Sequence, residues 1–217
     1  MDTISVARQS QVEIGQLERF RAIYDDSFPP HERADFSSLV DSIAAESRWL
    51  YTATRDDALL GFAIIVPFVA REVHLLEYLA VSCDARSGGI GGILLDGIVA
   101  AIRNPALSEV EGSHFAIGLI LEVEPDDEGD ADERALRARR IAFYARHGAQ
   151  TIDAPNYRAP LADRAGTMRM KLLWLPLADA AAPRGEKLRE CITGILEKSY
   201  GRSAENMLRR EIVAGIG

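Results

Sequence analysis

Cysteine is scarce in this chain of 217 residues. Cys83 and Cys191 stand alone, which excludes a disulfide framework and a thiolate metal cluster. Histidine is almost as sparse: His31, His74, His114 and His147 share no ligand spacing, so no metal is expected. No apolar run reaches the roughly 18 residues of a membrane span. The opening residues, MDTISVARQS, lack the basic start and apolar core of a secretion signal. The expected setting is the cytoplasm, with no membrane partner. Positive charge is in deficit too, 25 Lys and Arg against 33 Asp and Glu, for a net charge of −8. Duplex binding calls for a basic face, so no nucleic-acid partner is expected. The same balance leans weakly toward cationic small molecules such as amines. Internal repeats are missing as well.

What is present is an ordinary globular composition, 47% hydrophobic and 27% charged, in a chain long enough to bury a core without staples. TISVAR at 3–8 predicts a short edge strand. Val12, Ile14, Leu17, Phe20 and Ile23 recur at helical steps and predict a helix over 11–25. Pro29 and Pro30 cannot continue it, and FSSLVDSIAAE predicts a second helix. WLYTATR and LLGFAIIVPFV read as strands joined at Asp56 and Asp57, a hairpin. VHLLEYLAV is the next strand, followed by a helix from about 91 to 102. HFAIGLILEVE predicts a strand, and ADERALRARRIAFYARHG a helix with a glycine stop. AQTI and TMRMKLLWLPL predict the last two strands. The acidic stretch EPDDEGDADE, near 125–133, reads as a solvated connection.

After Pro176, LADAAAPRG reads as a linker. The tail from Glu186 to Ile212 carries a helical pattern in Leu188, Ile192, Ile195, Leu196 and Leu208. That helix packs on the domain or on a second subunit, and is the candidate surface for a homodimer. No linker divides the first 176 residues. The expected organisation is one domain over 1–176, with a linker and helical extension over 177–217. The alternation of elements predicts an α/β (α+β) fold, a mixed sheet flanked by helices.

The stretch EYLAVSCDARSGGIGG, residues 77–92, joins a strand to a helix through four glycines in five positions. The first N–H groups of a helix lack internal partners, and the helix dipole places partial positive charge there. Glycines let an anion reach those groups without a Cβ in the way, and Arg86 adds a formal charge. The turn lacks the Gly-Lys-Ser/Thr ending of a Walker loop. It comes after what reads as a late strand of an antiparallel meander, which is not the place of a Rossmann fingerprint. A tight strand-to-helix turn without a ligand is the plain alternative.

Here the sequence resembles the GNAT acetyltransferase superfamily. Arg86-Ser87-Gly88-Gly89-Ile90-Gly91 matches the family's Arg/Gln-x-x-Gly-x-Gly/Ala motif, and LEYLAV before it fits the strand of motif A. RIAFYARHGAQ at 140–150 is similar to motif B, and the order of elements agrees over residues 3–176. Cys83 stands where many members carry proline, and reads as a packed thiol. The resemblance implies a mixed, mostly antiparallel sheet flanked by helices, and acetyl-CoA or another acyl-CoA as cofactor. It implies that the pyrophosphate lies on the backbone of Arg86, Ser87, Gly88, Gly89, Ile90, Gly91 and Gly92. The pantetheine arm would pair with Leu79, Ala80 and Val81, in a gap between strands 73–81 and 115–124.

The implied reaction is direct transfer to an amine, which needs a base for the amine proton and an acid for the departing thiolate. Tyr144 matches the family's acid; its other reading is an aromatic side chain packing the helix onto the sheet. For the base, Glu77 ranks first and Glu122 second. Glu124 shares a face with Glu122, and any of these carboxylates can instead be solvated or paired with an arginine of RALRARR. SFPPHER resembles a signature of one bacterial branch of the family. It makes Phe28, His31, Glu32 and Arg33 candidate substrate contacts, or a proline turn leading into the next helix. Tyr157 and Arg158 are weaker candidates. The function implied is an N-acetyltransferase acting on a small amine. The alternatives are an inactive acyl-CoA sensor of the same fold and an interaction protein working through its tail.

Overall fold

The computed structural model describes residues 3–68, 72–104, 116–161 and 166–201. Two units emerge, Met1–Val69 with Leu76–Ala116, and Ala70–Leu75 with Ile117–Gly217.

The first unit holds β1 (Ser5–Gln9), β2 (Trp49–Arg55), β3 (Ala58–Phe68) and most of β4 (Val73–Val81), adjacent in that order. β1 pairs antiparallel with β2, and β2 with β3. The hairpin between β2 and β3 turns at Asp56 and Asp57, whose φ values of 48° and 62° are both left-handed. That is the mirror-image turn whose twist matches the flanking strands. Gly61 is obligatory for a packing reason: a Cβ there would lie 2.6 Å from the carbonyl oxygen of Ala80 on β4.

Three helices accompany these strands, α1 (Leu17–Ser27), α2 (Phe36–Ala44) and α3 (Ile90–Arg103). α1 starts later than its apolar periodicity predicts. A turn of 3-10 helix over Ile14–Gln16 precedes it, and Ile14 is 93% exposed. Phe20, Ile23 and Tyr24 of α1 and Leu39 and Ile43 of α2 bury their side chains with Leu50, Phe62, Ile64 and Tyr78. Asp35 caps α2, its carboxylate accepting from the Ser38 N–H at 3.0 Å.

The second unit contains β5 (Gly118–Val123), α4 (Ala131–Arg146), β6 (Gln150–Thr151), β7 (Arg158–Pro160), β8 (Thr167–Arg169), β9 (Lys171–Pro176) and α5 (Gly185–Ser199). β9 pairs antiparallel with β5 on one edge and with β6 on the other. TMRMKLLWLPL is not one strand. It breaks at Met170, because residues 167–169 leave to pair with β7 in a separate two-stranded ribbon. The Met170 N–H then bonds to the Tyr157 carbonyl at 3.2 Å. Residues 114 and 115 of the predicted strand, and the tail from 202 onward, lie outside the described residues.

The acidic stretch before α4 is held by cations rather than simply solvated. Asp126 pairs with Lys171, and Asp127 and Glu128 both meet Arg169 at 2.9 Å. Asp130 and Glu133 then close a reciprocal capping box at the start of α4. Within α5, Leu188, Cys191, Ile192, Ile195 and Leu196 are buried inside the chain itself. No helix among the described residues is long and apolar enough to cross a membrane.

Candidate active site

In the first unit, β4 runs directly into the glycine turn. The Ser82 N–H is still in register with β3, bonding to Leu60 at 2.8 Å, and a 3-10 turn over Cys83–Ala85 comes next. Ser87 (φ 69°) and Gly89 (φ 74°) both adopt left-handed backbone, with Gly88 between them outside that region. Alternation of this kind turns successive N–H groups toward one concave side. Gly89 is the N-cap of α3, with no side-chain cap, and the space where its Cβ would stand is open. The Gly92 and Ile93 N–H groups bond back to Gly89 at 3.0 and 3.1 Å. The earlier amides at the helix start have no carbonyl one turn before them. Buried Ile90 anchors that end of the helix. An uncapped helix start beside an open glycine suits a diphosphate.

Arg86 is not simply poised over this turn. Its Nη2 donates to Asp26 at 2.6 Å and lies 3.4 Å from the Ser27 hydroxyl, while its Nε donates to the Val81 carbonyl at 3.2 Å. Nearby, Arg19 donates to Ser82 at 2.7 Å and to both oxygens of Asp84 at 2.8 Å. The Ser82 hydroxyl donates to Asp84, and this bond first and the Arg19 contacts second hold the Asp84 carboxyl below the usual range.

The SFPPHER segment is fastened by tyrosines. Phe28 packs its ring against Tyr24 (5.6 Å) and Tyr78 (4.7 Å). The Tyr24 hydroxyl donates to the Ala34 carbonyl at 3.1 Å, and the Tyr78 hydroxyl accepts from the Ala34 N–H at 3.2 Å. Burial pushes the Tyr24 phenol up to about 12, and Tyr78 higher still. His31 is exposed, 3.4 Å from the Glu32 carboxylate. Arg33 pairs with Asp25 and lies over the Tyr24 ring at 6.0 Å.

Glu77, Leu79 and Val81 share the less buried face of β4, as alternation predicts, while Tyr78 and Ala80 face the core. Glu77 has a partner that the sequence did not reveal. Arg48 donates to its two oxygens at 2.6 and 2.9 Å, with both side chains largely buried. A buried carboxylate on a strand announces that it needs a cation, but nothing local points to a residue 29 positions away.

In the second unit, Tyr144 lies on the buried side of α4, and burial pushes its phenol up to about 12. The helix ends as its glycine predicts: Gly148 has φ 92°, and the Ala149 N–H bonds back to the Tyr144 carbonyl at 3.0 Å. Glu124 pairs with Arg137 at 2.6 Å and Arg140 at 2.9 Å, so for this carboxylate the arginine reading of RALRARR is the one observed. Glu122 accepts the Tyr157 hydroxyl at 2.6 Å and lies 3.1 and 3.2 Å from the hydroxyl of Tyr200. Tyr157 is fully buried, and its hydroxyl meets this carboxylate rather than an open pocket. Burial, and then the Glu122 charge, push its phenol well up. Arg158 is exposed and bonds Thr167 at 2.8 Å.

The class of protein is defined by fold and turn together, an α/β fold with antiparallel strand pairs and a glycine-rich strand-to-helix turn leading into an uncapped helix start. Residues 17–120 match the model of the "Acetyltransferase (GNAT) family". Known structures share the fold. A putative GNAT acetyltransferase from Bacteroides thetaiotaomicron superposes with a TM-score of 0.68 at 20% identity, covering 89% of this chain and 98% of that one. A GNAT acetyltransferase from Elizabethkingia anophelis, solved with acetyl-CoA bound, gives 0.51 at 18% identity over 81% and 99%. A spermidine N-acetyltransferase mutant from Vibrio cholerae gives 0.57 at 8% identity over 80% and 94%. No curated protein matches the sequence. The GNAT resemblance read from the motifs is therefore borne out, and so is the fold class it implied.

Proposed function

We propose that this protein is an acyl-CoA-dependent N-acyltransferase that moves an acetyl group from acetyl-CoA to the amine of a small molecule. The observation that carries this reading is the glycine turn. Left-handed Ser87 and Gly89, with open space over Gly89, lead into the uncapped start of α3. Residues 86–92 would hold the pyrophosphate, and Leu79, Ala80 and Val81 the pantetheine arm. Bound acetyl-CoA supplies an activated thioester.

The chain's own residues supply the proton chemistry. Tyr144, at the position that matches the family's acid, is raised to about 12 by burial and so carries its proton at neutral pH; we assign it the protonation of the leaving thiolate. Glu77 is committed to a buried ion pair with Arg48, so we take Glu122, which accepts from the hydroxyls of Tyr157 and Tyr200, as acceptor of the amine proton. Phe28, His31, Glu32 and Arg33 would line the way in for the amine. The acidic balance of the chain, −8, favours a cationic acceptor, and one structural relative acts on spermidine. The catalytic domain is proposed as residues 1–176, with the extension beyond it, working in the cytoplasm.

The test supplies acetyl-CoA with a panel of small amines and measures free CoA. Turnover is expected with at least one amine, and to fall about 10²-fold or more in Tyr144→Phe and Glu122→Gln. Glu77→Gln should instead chiefly lower stability. Failure of the wild-type protein to bind CoA would overturn the reading, whereas tight binding without turnover on any amine would make it a sensor.

A further inference from the structure

The GNAT family match ends at residue 120, and the motif resemblance ends at Pro176, so α5 and the residues beyond it belong to neither. Yet Tyr200, the residue that closes α5, brings its hydroxyl to Glu122 from 78 positions away in the chain. We infer that Tyr200 is a positioning residue for Glu122, so that the helical extension completes the acyl-transfer site rather than merely decorating the domain. This rests on the reading of Glu122 as proton acceptor.

The geometry divides the work between two hydroxyls. Tyr157 donates to Glu122 Oε1 at 2.6 Å. The Tyr200 hydroxyl reaches both oxygens, 3.2 Å from Oε1 and 3.1 Å from Oε2. Together they set the plane of the carboxylate, and with it the direction of the lone pair that takes a proton. Neither donor is on a slack segment. The Tyr157 backbone is fixed at both ends, its N–H on Ala154 at 3.0 Å and its carbonyl accepting from Met170 at 3.2 Å. Tyr200 is carried by a helix whose apolar face, including Leu188, Ile192 and Ile195, is buried. Hydroxyls held on rigid elements orient a carboxylate.

The experiment uses the full chain, with Tyr200→Phe, Glu122→Gln and the double variant, assayed on whichever amine gives the best CoA release. Tyr200→Phe keeps the ring and removes only the hydroxyl. Its kcat should fall on the order of tenfold, with KM for acetyl-CoA unchanged. In the Glu122→Gln background the same change should cost nothing further, because the group it positions is gone. A wild-type kcat in Tyr200→Phe, or a loss that multiplies with that of Glu122→Gln, overturns the inference while leaving the acyltransferase reading intact. A retained kcat in Glu122→Gln overturns both the base assignment and the part given to Tyr200. Absence of CoA release from the wild-type protein with every amine overturns the acyltransferase reading itself, and this inference with it.

Discussion

Arg48 and Glu77 show how a side chain that reads as a candidate base in one dimension carries a buried ion pair in three. Their side chains are 14% and 10% exposed, and two charge-assisted hydrogen bonds join them. Each charge alone would be costly to bury, while the pair as a whole adds little net stability. Arg48→Met is therefore expected to lower unfolding free energy by about 3–5 kcal/mol, since it strands a buried carboxylate. Adding Glu77→Gln to that variant should recover a large part of the loss. Urea unfolding of the two variants checks both statements; equal losses would show that the charge is not what matters. For Tyr144 the spacing to Gly148 is legible in the sequence, and the structure adds burial that pushes its phenol up to about 12.

Among the elements, the glycine turn is the one on which the proposed cofactor site rests. Gly89 sits at φ 74° with nothing near its missing Cβ, so a substitution there meets backbone strain and no clash. Gly89→Ala should cost about 1–2 kcal/mol in stability, and Gly89→Asn less, because asparagine tolerates the left-handed region. If an anion lies against this backbone, both variants should also weaken CoA binding, which calorimetry would read directly. Unchanged CoA affinity in both would move the pyrophosphate elsewhere. Gly118 is different in kind: its Cβ would run into the indole of Trp174, so the glycine serves β5–β9 packing rather than conformation. Element boundaries obeyed local signals where caps and glycines set them, as at Asp130 and Gly148. They departed where pairing decided, as at Met170, where a continuous apolar run was divided between two sheets.

For the molecule as a whole, buried phenols give a pH signature. Tyr24, Tyr51 and Tyr144 are each pushed up to about 12, chiefly by burial. In the unfolded chain the same groups ionise near pH ~10. Between those values the unfolded chain has released protons that the folded chain retains. The stability these groups contribute is thus complete below pH ~10 and is lost as pH rises through ~12, at about 1.4 kcal/mol per unit per group. Alkaline titration should show tyrosinate absorbance rising together with loss of far-UV circular dichroism. Ionisation of these phenols well before any unfolding would contradict their burial.

The sequence by itself determined most of the strands and helices up to α4, the glycine turn, the GNAT resemblance and the spacing of Tyr144 to Gly148. All of these are written in short windows, as periodicity, caps or glycine spacing. Only the tertiary structure decided which charges and hydroxyls meet. Glu77 finds Arg48 across 29 positions, and Glu122 finds Tyr157 across 35 and Tyr200 across 78. Such meetings depend on strand register and helix docking, which are set by packing of the whole core, and no local pattern in the chain encodes them.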